Sequence, residues 1–312
     1  MPPRPAMLRC CALVLLLCWL PACQRDNAAD AGVIRVAAPA PAKPATKPVD
    51  AVNVLAARLL ARDGVGFARL AVPPELHARL IEGWAAGQTR WPLHELPLDT
   101  RLPGMLAALQ AKGADTALQA TFRRQFKGAD RDIDEAVRTL ALFGGEYVQK
   151  AADYSPEERD HVIQAIAAMS RWAVAAPLSD TDRAGRLFRA LAQAAQRSGV
   201  DGKAGNDAYA ALGMDASLKR LAPFLSTLLA QFRKDYGFDL DASMRGLDVR
   251  LLEQKGEHAR LRLRYDLAGT PIDAIVPAVR IDGNWYVADF VRRAKASLES
   301  NDLNQAGLSS QT

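Results

Sequence analysis

The chain has 312 residues, of which 49% are hydrophobic and 24% charged, with a formal charge of +5. Those fractions suit a globular protein with its own core, and they exclude a mainly disordered chain, a collagen-like repeat and a small disulfide-stapled scaffold. Arg4 and Arg9 carry part of the surplus and the rest is thinly spread, so no nucleic-acid footprint emerges.

All the cysteines (Cys10, Cys11, Cys18 and Cys23) fall near the N-terminus. Arg4 and Arg9 precede an uncharged run over residues 10–20, which closes on Pro21, Ala22 and Cys23. A basic start, a short apolar run and a small residue before the cut predict a secretory signal peptide over 1–22. As a helix the run rises only about 16 Å, roughly half a bilayer core, so it predicts export and not a permanent span.

Leu20-Pro21-Ala22-Cys23 resembles the lipobox of bacterial lipoproteins, with Pro21 where alanine, serine or threonine is usual. The resemblance implies that Cys23 is lipidated, with palmitate-type acyl chains, and becomes the mature N-terminus. Gln24 is not the aspartate associated with inner-membrane retention, so it implies the outer membrane, with the protein facing the periplasm. The expected partner is therefore the membrane itself, through acyl chains on Cys23. Two or more chains make such anchoring stable, since each buried methylene contributes about 0.8 kcal/mol. Cleavage before Cys23 leaves no other cysteine for a disulfide, a thiolate metal site or a nucleophile. Residues 23–50 then read as the lipidated cysteine and a tether, in which alternating alanine, proline and lysine favour extended conformations.

Residues 51–236 read as a helical region. Asp50 can cap a helix over 51–62, with Val54, Leu55 and Leu59 on one face. A second helix starts near Pro73-Pro74-Glu75 and runs to about Trp84. Residues 86–104 form a proline-punctuated loop. Helices then recur at roughly 103–112, 115–127, 132–152, 156–175, 180–198 and 216–235. The best-marked start is the capping box Ser155-Pro156-Glu157-Glu158. Leu218, Leu221, Leu225, Leu228 and Phe232 give the 216–235 helix a core-facing stripe. Gly144-Gly145 marks close packing or a kink.

Residues 237–299 change to period two. Leu247, Val249 and Leu251, then Ala259, Leu261, Leu263, Tyr265 and Leu267, alternate with polar residues. A third run over 272–281 ends at Asp282-Gly283, the strongest short-range hairpin signal. The fold class is thus α+β: a predominantly helical body, then a four-strand antiparallel sheet packed on it and a short final helix near 291–298. Residues 300–312 read as a flexible tail.

The strand block over 246–298, with Arg280-Ile281-Asp282-Gly283-Asn284-Trp285-Tyr286-Val287, resembles the sheet half of the NTF2-like superfamily. That resemblance implies a curved sheet with helices against it, often around a cavity. The helices from 103 to 200 depart from that fold. The whole chain also looks similar to uncharacterised outer-membrane lipoproteins of Gram-negative bacteria, which offer no catalytic residues to carry over.

Chemistry is sparse. His77, His94, His161 and His258 have no partner at metal-binding spacing. Asp130, Asp132 and Asp134 have calcium-loop spacing, but Glu135 stands where glycine is required. No nucleophile elbow, phosphate loop or dinucleotide fingerprint occurs. The expectation is no metal, no cofactor and no catalytic residue, which leans against an enzyme. Two candidate contacts for a ligand or partner remain: the loop carrying Trp91 and Arg101, and the row Arg260, Arg262 and Arg264 on one strand face. The first expectation is a non-enzymatic accessory or interaction protein of the envelope. The alternative is a periplasmic carrier of a small apolar or anionic ligand in an NTF2-like cavity.

Overall fold

The computed structural model describes residues 43–96, 101–152 and 154–309. The expected signal peptide, the lipobox-like stretch with Cys23 and the expected tether up to residue 42 lie outside the described residues. Within residues 43–49, the end of the expected tether, Ala45 and Pro48 are buried, and the Ala45 carbonyl accepts from the Trp285 N–H at 2.7 Å.

The helical region opens with α1 (Asp50–Leu60), α2 (Gly64–Ala71) and α3 (Pro74–Ala85). A 3₁₀ turn at Leu93–Glu95 follows, within the stretch that the sequence marks as loop. Then come α4 (Leu102–Gln110), α5 (Ala114–Phe126), α6 (Asp130–Lys150), α7 (Pro156–Ala175) and α8 (Thr181–Ser198). The helical run closes with α9 (Asn206–Leu212), α10 (Met214–Tyr236) and α11 (Leu240–Arg245). Sequence signals and helix starts agree where the physics is local. Pro74 and Pro156 occupy first-turn positions, and Ser155 and Glu158 form the expected reciprocal capping box.

The sheet is a meander of β1 (Asp248–Lys255), β2 (His258–Leu267), β3 (Thr270–Ile281) and β4 (Asn284–Val287), each strand antiparallel to the next. Asp282 and Gly283 both take positive φ, 49° and 81°, as a tight hairpin turn requires. Leu261, Leu263, Ile272, Ala274 and Val276 are buried on one face, whereas the alternate residues of β2, the arginines, point away.

Two local expectations are corrected. Leu251, expected to face inward, shares the face of its partner Leu261 but is 46% exposed, because it lies on the edge strand; just past it the β1–β2 register shifts before Glu253. Such a bulge turns the side chains beyond it off the alternating pattern. The final helix is also longer than expected: α12 spans Ala288–Ser309 and takes in most of the predicted tail. A helix already nucleated by the packed residues Val291, Ala294 and Leu298 extends through polar residues at small further cost.

One contiguous core joins the two regions, with Leu221, Phe224 and Leu228 of α10 in the same cluster as Leu261 and Val276 of the sheet. Gly144-Gly145 leaves α6 unbroken, and a Cβ on Gly144 would meet Ile166 Cδ1 of α7 at 3.6 Å, an ordinary van der Waals contact, so the pair marks neither a kink nor a close approach that excludes a side chain. Asp241 of α11 is fully buried and holds Arg62, just past α1, at 3.0 Å.

An apolar cavity with a charged end

A cavity of about 270 Å³ lies between the inner face of the sheet and the helices. α1 supplies Val52, Leu55 and Leu59, α10 supplies Leu218 and Leu225, and the sheet supplies Leu263 and Val276. From α7 come His161, Val162, Ala165 and Ile166, a spacing that sets all four on one side of a helix. The leucine stripe of α10 therefore does two things: Leu221 and Leu228 fill the core, while Leu218 and Leu225 also wall the cavity.

The polar lining is concentrated. Glu95, Glu158, Asp289 and Arg293 line the cavity, and Arg292 completes their cluster. Arg293 bonds Glu95 Oε2 at 2.8 Å, pairs with Glu158, and sits 5.2 Å from the centroid of the Phe290 ring. Arg292 pairs with Glu158 and donates to Asp289 Oδ1 at 3.3 Å. Asp289 also accepts from Ser155 Oγ at 3.4 Å. Burial pushes the Glu95 and Asp289 carboxyls above their ordinary values, against the opposing pull of Arg293 and Arg292. A second polar spot is the pair His161 Nε2 and Tyr265 OH, 2.8 Å apart. Burial in this apolar wall lowers His161 to about 4, so its imidazole is neutral at neutral pH.

The residues singled out in the sequence fall elsewhere or play other parts. Trp91 is fully buried, so it is no surface contact; its Nε1 donates to Glu95 Oε1 at 2.8 Å and steadies that carboxylate. The loop reaches the cavity through Pro92, Leu93, Glu95 and Leu96 instead. Arg101 is exposed just before α4 and is not among the cavity residues. Arg260, Arg262 and Arg264 lie on the outer face of the sheet. Arg262 forks onto Asp273 at 2.7 and 2.6 Å, Arg264 reaches the same carboxylate at 3.1 Å, and Arg260 meets Glu157 at 3.4 Å.

Sequence reasoning missed His161, Tyr265, Asp289 and Arg293 as site residues. The one available signal was the Arg292-Arg293 doublet, and its partner Glu158 is 134 positions away. Among the described residues no cluster of histidine, cysteine, aspartate or glutamate is placed to hold a metal ion, and no helix is long and apolar enough to cross a membrane. Compared with known proteins, the chain matches no family model, no curated protein and no solved structure.

Proposed function

We propose that this is a lipid-anchored cell-envelope protein, held at the periplasmic face of the outer membrane by acyl chains on Cys23, that carries a small apolar ligand in the cavity between sheet and helices. One observation carries the carrier reading: about 270 Å³ of space walled mainly by aliphatic side chains, with its few polar groups gathered at defined spots. Protein interiors are close-packed, so an apolar concavity of this size is space that the carbon of a bound ligand fills better than water does. The size is just below the roughly 300–1,000 Å³ usual for small-molecule pockets.

The test is native mass spectrometry of the otherwise complete Cys23→Ser chain, exported on a conventional secretory leader, beside its Ala165→Phe variant. Ala165 lines the cavity, and a phenyl ring there would fill much of it. The reading expects a reproducible added mass that the variant loses. A clean mass for both proteins, with no stabilisation by apolar additives, would sink it. The anchor is tested apart from this, by labelled palmitate, which wild type should incorporate and Cys23→Ser should not; equal labelling refutes lipidation at Cys23.

The second reading, a non-enzymatic accessory protein, draws support from α6. That helix packs chiefly against α7 and leaves Leu142, Phe143 and Tyr147 more than 60% exposed. A stoichiometric envelope protein co-purifying without any small molecule would favour it over the carrier.

A further inference from the structure

The geometry points to an amphiphile of roughly nine or ten heavy atoms as the ligand, with a head that donates hydrogen bonds or carries positive charge, an alcohol or an amine and not a carboxylate. This inference rests on the carrier reading and deepens it.

Size follows from the cavity. At about 30 Å³ for a water-sized unit, its volume of about 270 Å³ takes roughly nine such units. An eight-carbon chain with a one-atom head fits that measure. Val52, Leu55, Leu225 and Val276 offer the chain nothing but carbon.

The head is decided by charge. At the polar end three carboxylates, those of Glu95, Glu158 and Asp289, face two guanidiniums, those of Arg292 and Arg293. All three acids line the cavity, but of the two arginines only Arg293 does. Arg293 divides its guanidinium between Glu95 and Glu158, with Phe290 beneath it. An entering carboxylate would have to displace one of these acids and sit beside the others, in a setting of low effective dielectric where like charges repel strongly. An amine or hydroxyl meets the opposite situation: acidic oxygens in surplus, all of them acceptors when ionised. Burial costs these carboxylates their hydration and holds Glu95 and Asp289 above their ordinary values, and a donating head would return hydrogen bonds to them. The other polar spot adds no cation, since the His161 imidazole is neutral. The arginines that could attract an anion, Arg260, Arg262 and Arg264, lie on the far face of the sheet beside Glu157 and Asp273.

The experiment displaces a neutral tritiated reporter of matching size, naphthalene, from the complete Cys23→Ser chain at neutral pH with octylamine, 1-octanol or octanoate. Octylamine and 1-octanol should each displace it at concentrations about tenfold or more below octanoate, the margin of one charge-assisted hydrogen bond. Ala165→Phe should abolish displacement by all three, which ties the signal to the cavity. Glu95→Gln keeps the shape but removes one carboxylate, so it should narrow the octylamine margin over octanoate. Octanoate binding as well as the amine and alcohol, or an unchanged margin in Glu95→Gln, overturns the head assignment and leaves the carrier reading standing. A reporter that never binds, or that no probe displaces, takes down the carrier reading itself and this inference with it.

Discussion

The two faces of the sheet carry the same kinds of groups under opposite conditions. Outside, Arg262 and Arg264 converge on Asp273, which stands in solvent; the Arg262 hydrogen bond draws that carboxyl down to about 2. Inside, Glu95 and Asp289 also have arginine partners, yet both are pushed up, because loss of hydration outweighs the attraction. Contact with arginine is common to both clusters, so burial is what reverses the sign. A visible row of cations is therefore a poor guide to a site, since neighbouring carboxylates and water already satisfy it. The cluster that is costly to bury is the one at the cavity.

The largest expected effect comes from removing the centre of the inner cluster. Glu158 is 5% exposed and pairs with both Arg292 and Arg293, besides closing the capping box of α7. Glu158→Ala should lower unfolding free energy by about 3 kcal/mol, the lower end for stranding buried charge, because Arg292 still reaches solvent. Urea denaturation reads this directly. A loss below about 1 kcal/mol would place the inner cluster in the same class as an exposed ion pair and erase the contrast.

Next comes the pH dependence of the inner wall. The folded state keeps His161 neutral down to about 4, whereas the unfolded chain takes up a proton near 6.5. Between those values the unfolded state binds more protons, so stability is full above the upper one and drains away as pH falls toward the lower. The span corresponds to at most about 3 kcal/mol. His161→Gln keeps a polar group near Tyr265 but cannot titrate, so its stability should fall less than that of wild type over this window. Glu95 and Asp289 titrate in both proteins and cancel from the comparison. Parallel pH profiles would show that water reaches His161 freely.

How much of this could be read in the sequence follows from the range of the forces. Helix starts at Pro74 and Ser155, the Asp282-Gly283 turn and the alternation of β2 are set by residues within a few positions of one another, and the structure reproduces them. The exposure of Leu251 was illegible because it depends on β1 lying at the edge of the sheet, not on its own residues. The cavity was out of reach for a different reason. A leucine lining a void and a leucine filling the core obey the same periodicity, as Leu218 and Leu221 on one helix show. The charged end required Glu158 to meet a helix that begins 130 residues later; the Arg292-Arg293 doublet named no partner, and the glutamate was already explained by its cap.

The smallest expected effect is the outer counterpart, Asp273→Asn. The depressed carboxyl contributes stability above its unfolded value of 3.8, and that contribution is lost as pH falls through about 2. Asp273 is open to solvent, so water and mobile ions compete for both arginines, and the variant should show only a slight drop in thermal midpoint at neutral pH and low salt. In about 1 M salt the screening length shrinks to about 3 Å, and the drop should vanish. The loss in Glu158→Ala should survive the same salt, because ions cannot enter the inner cluster to replace the carboxylate. Salt therefore separates the two faces more sharply than the size of either effect. If Asp273→Asn were as damaging as Glu158→Ala and as indifferent to salt, the arginine row would be an ordered element of the fold, and the distinction between the two faces would fail.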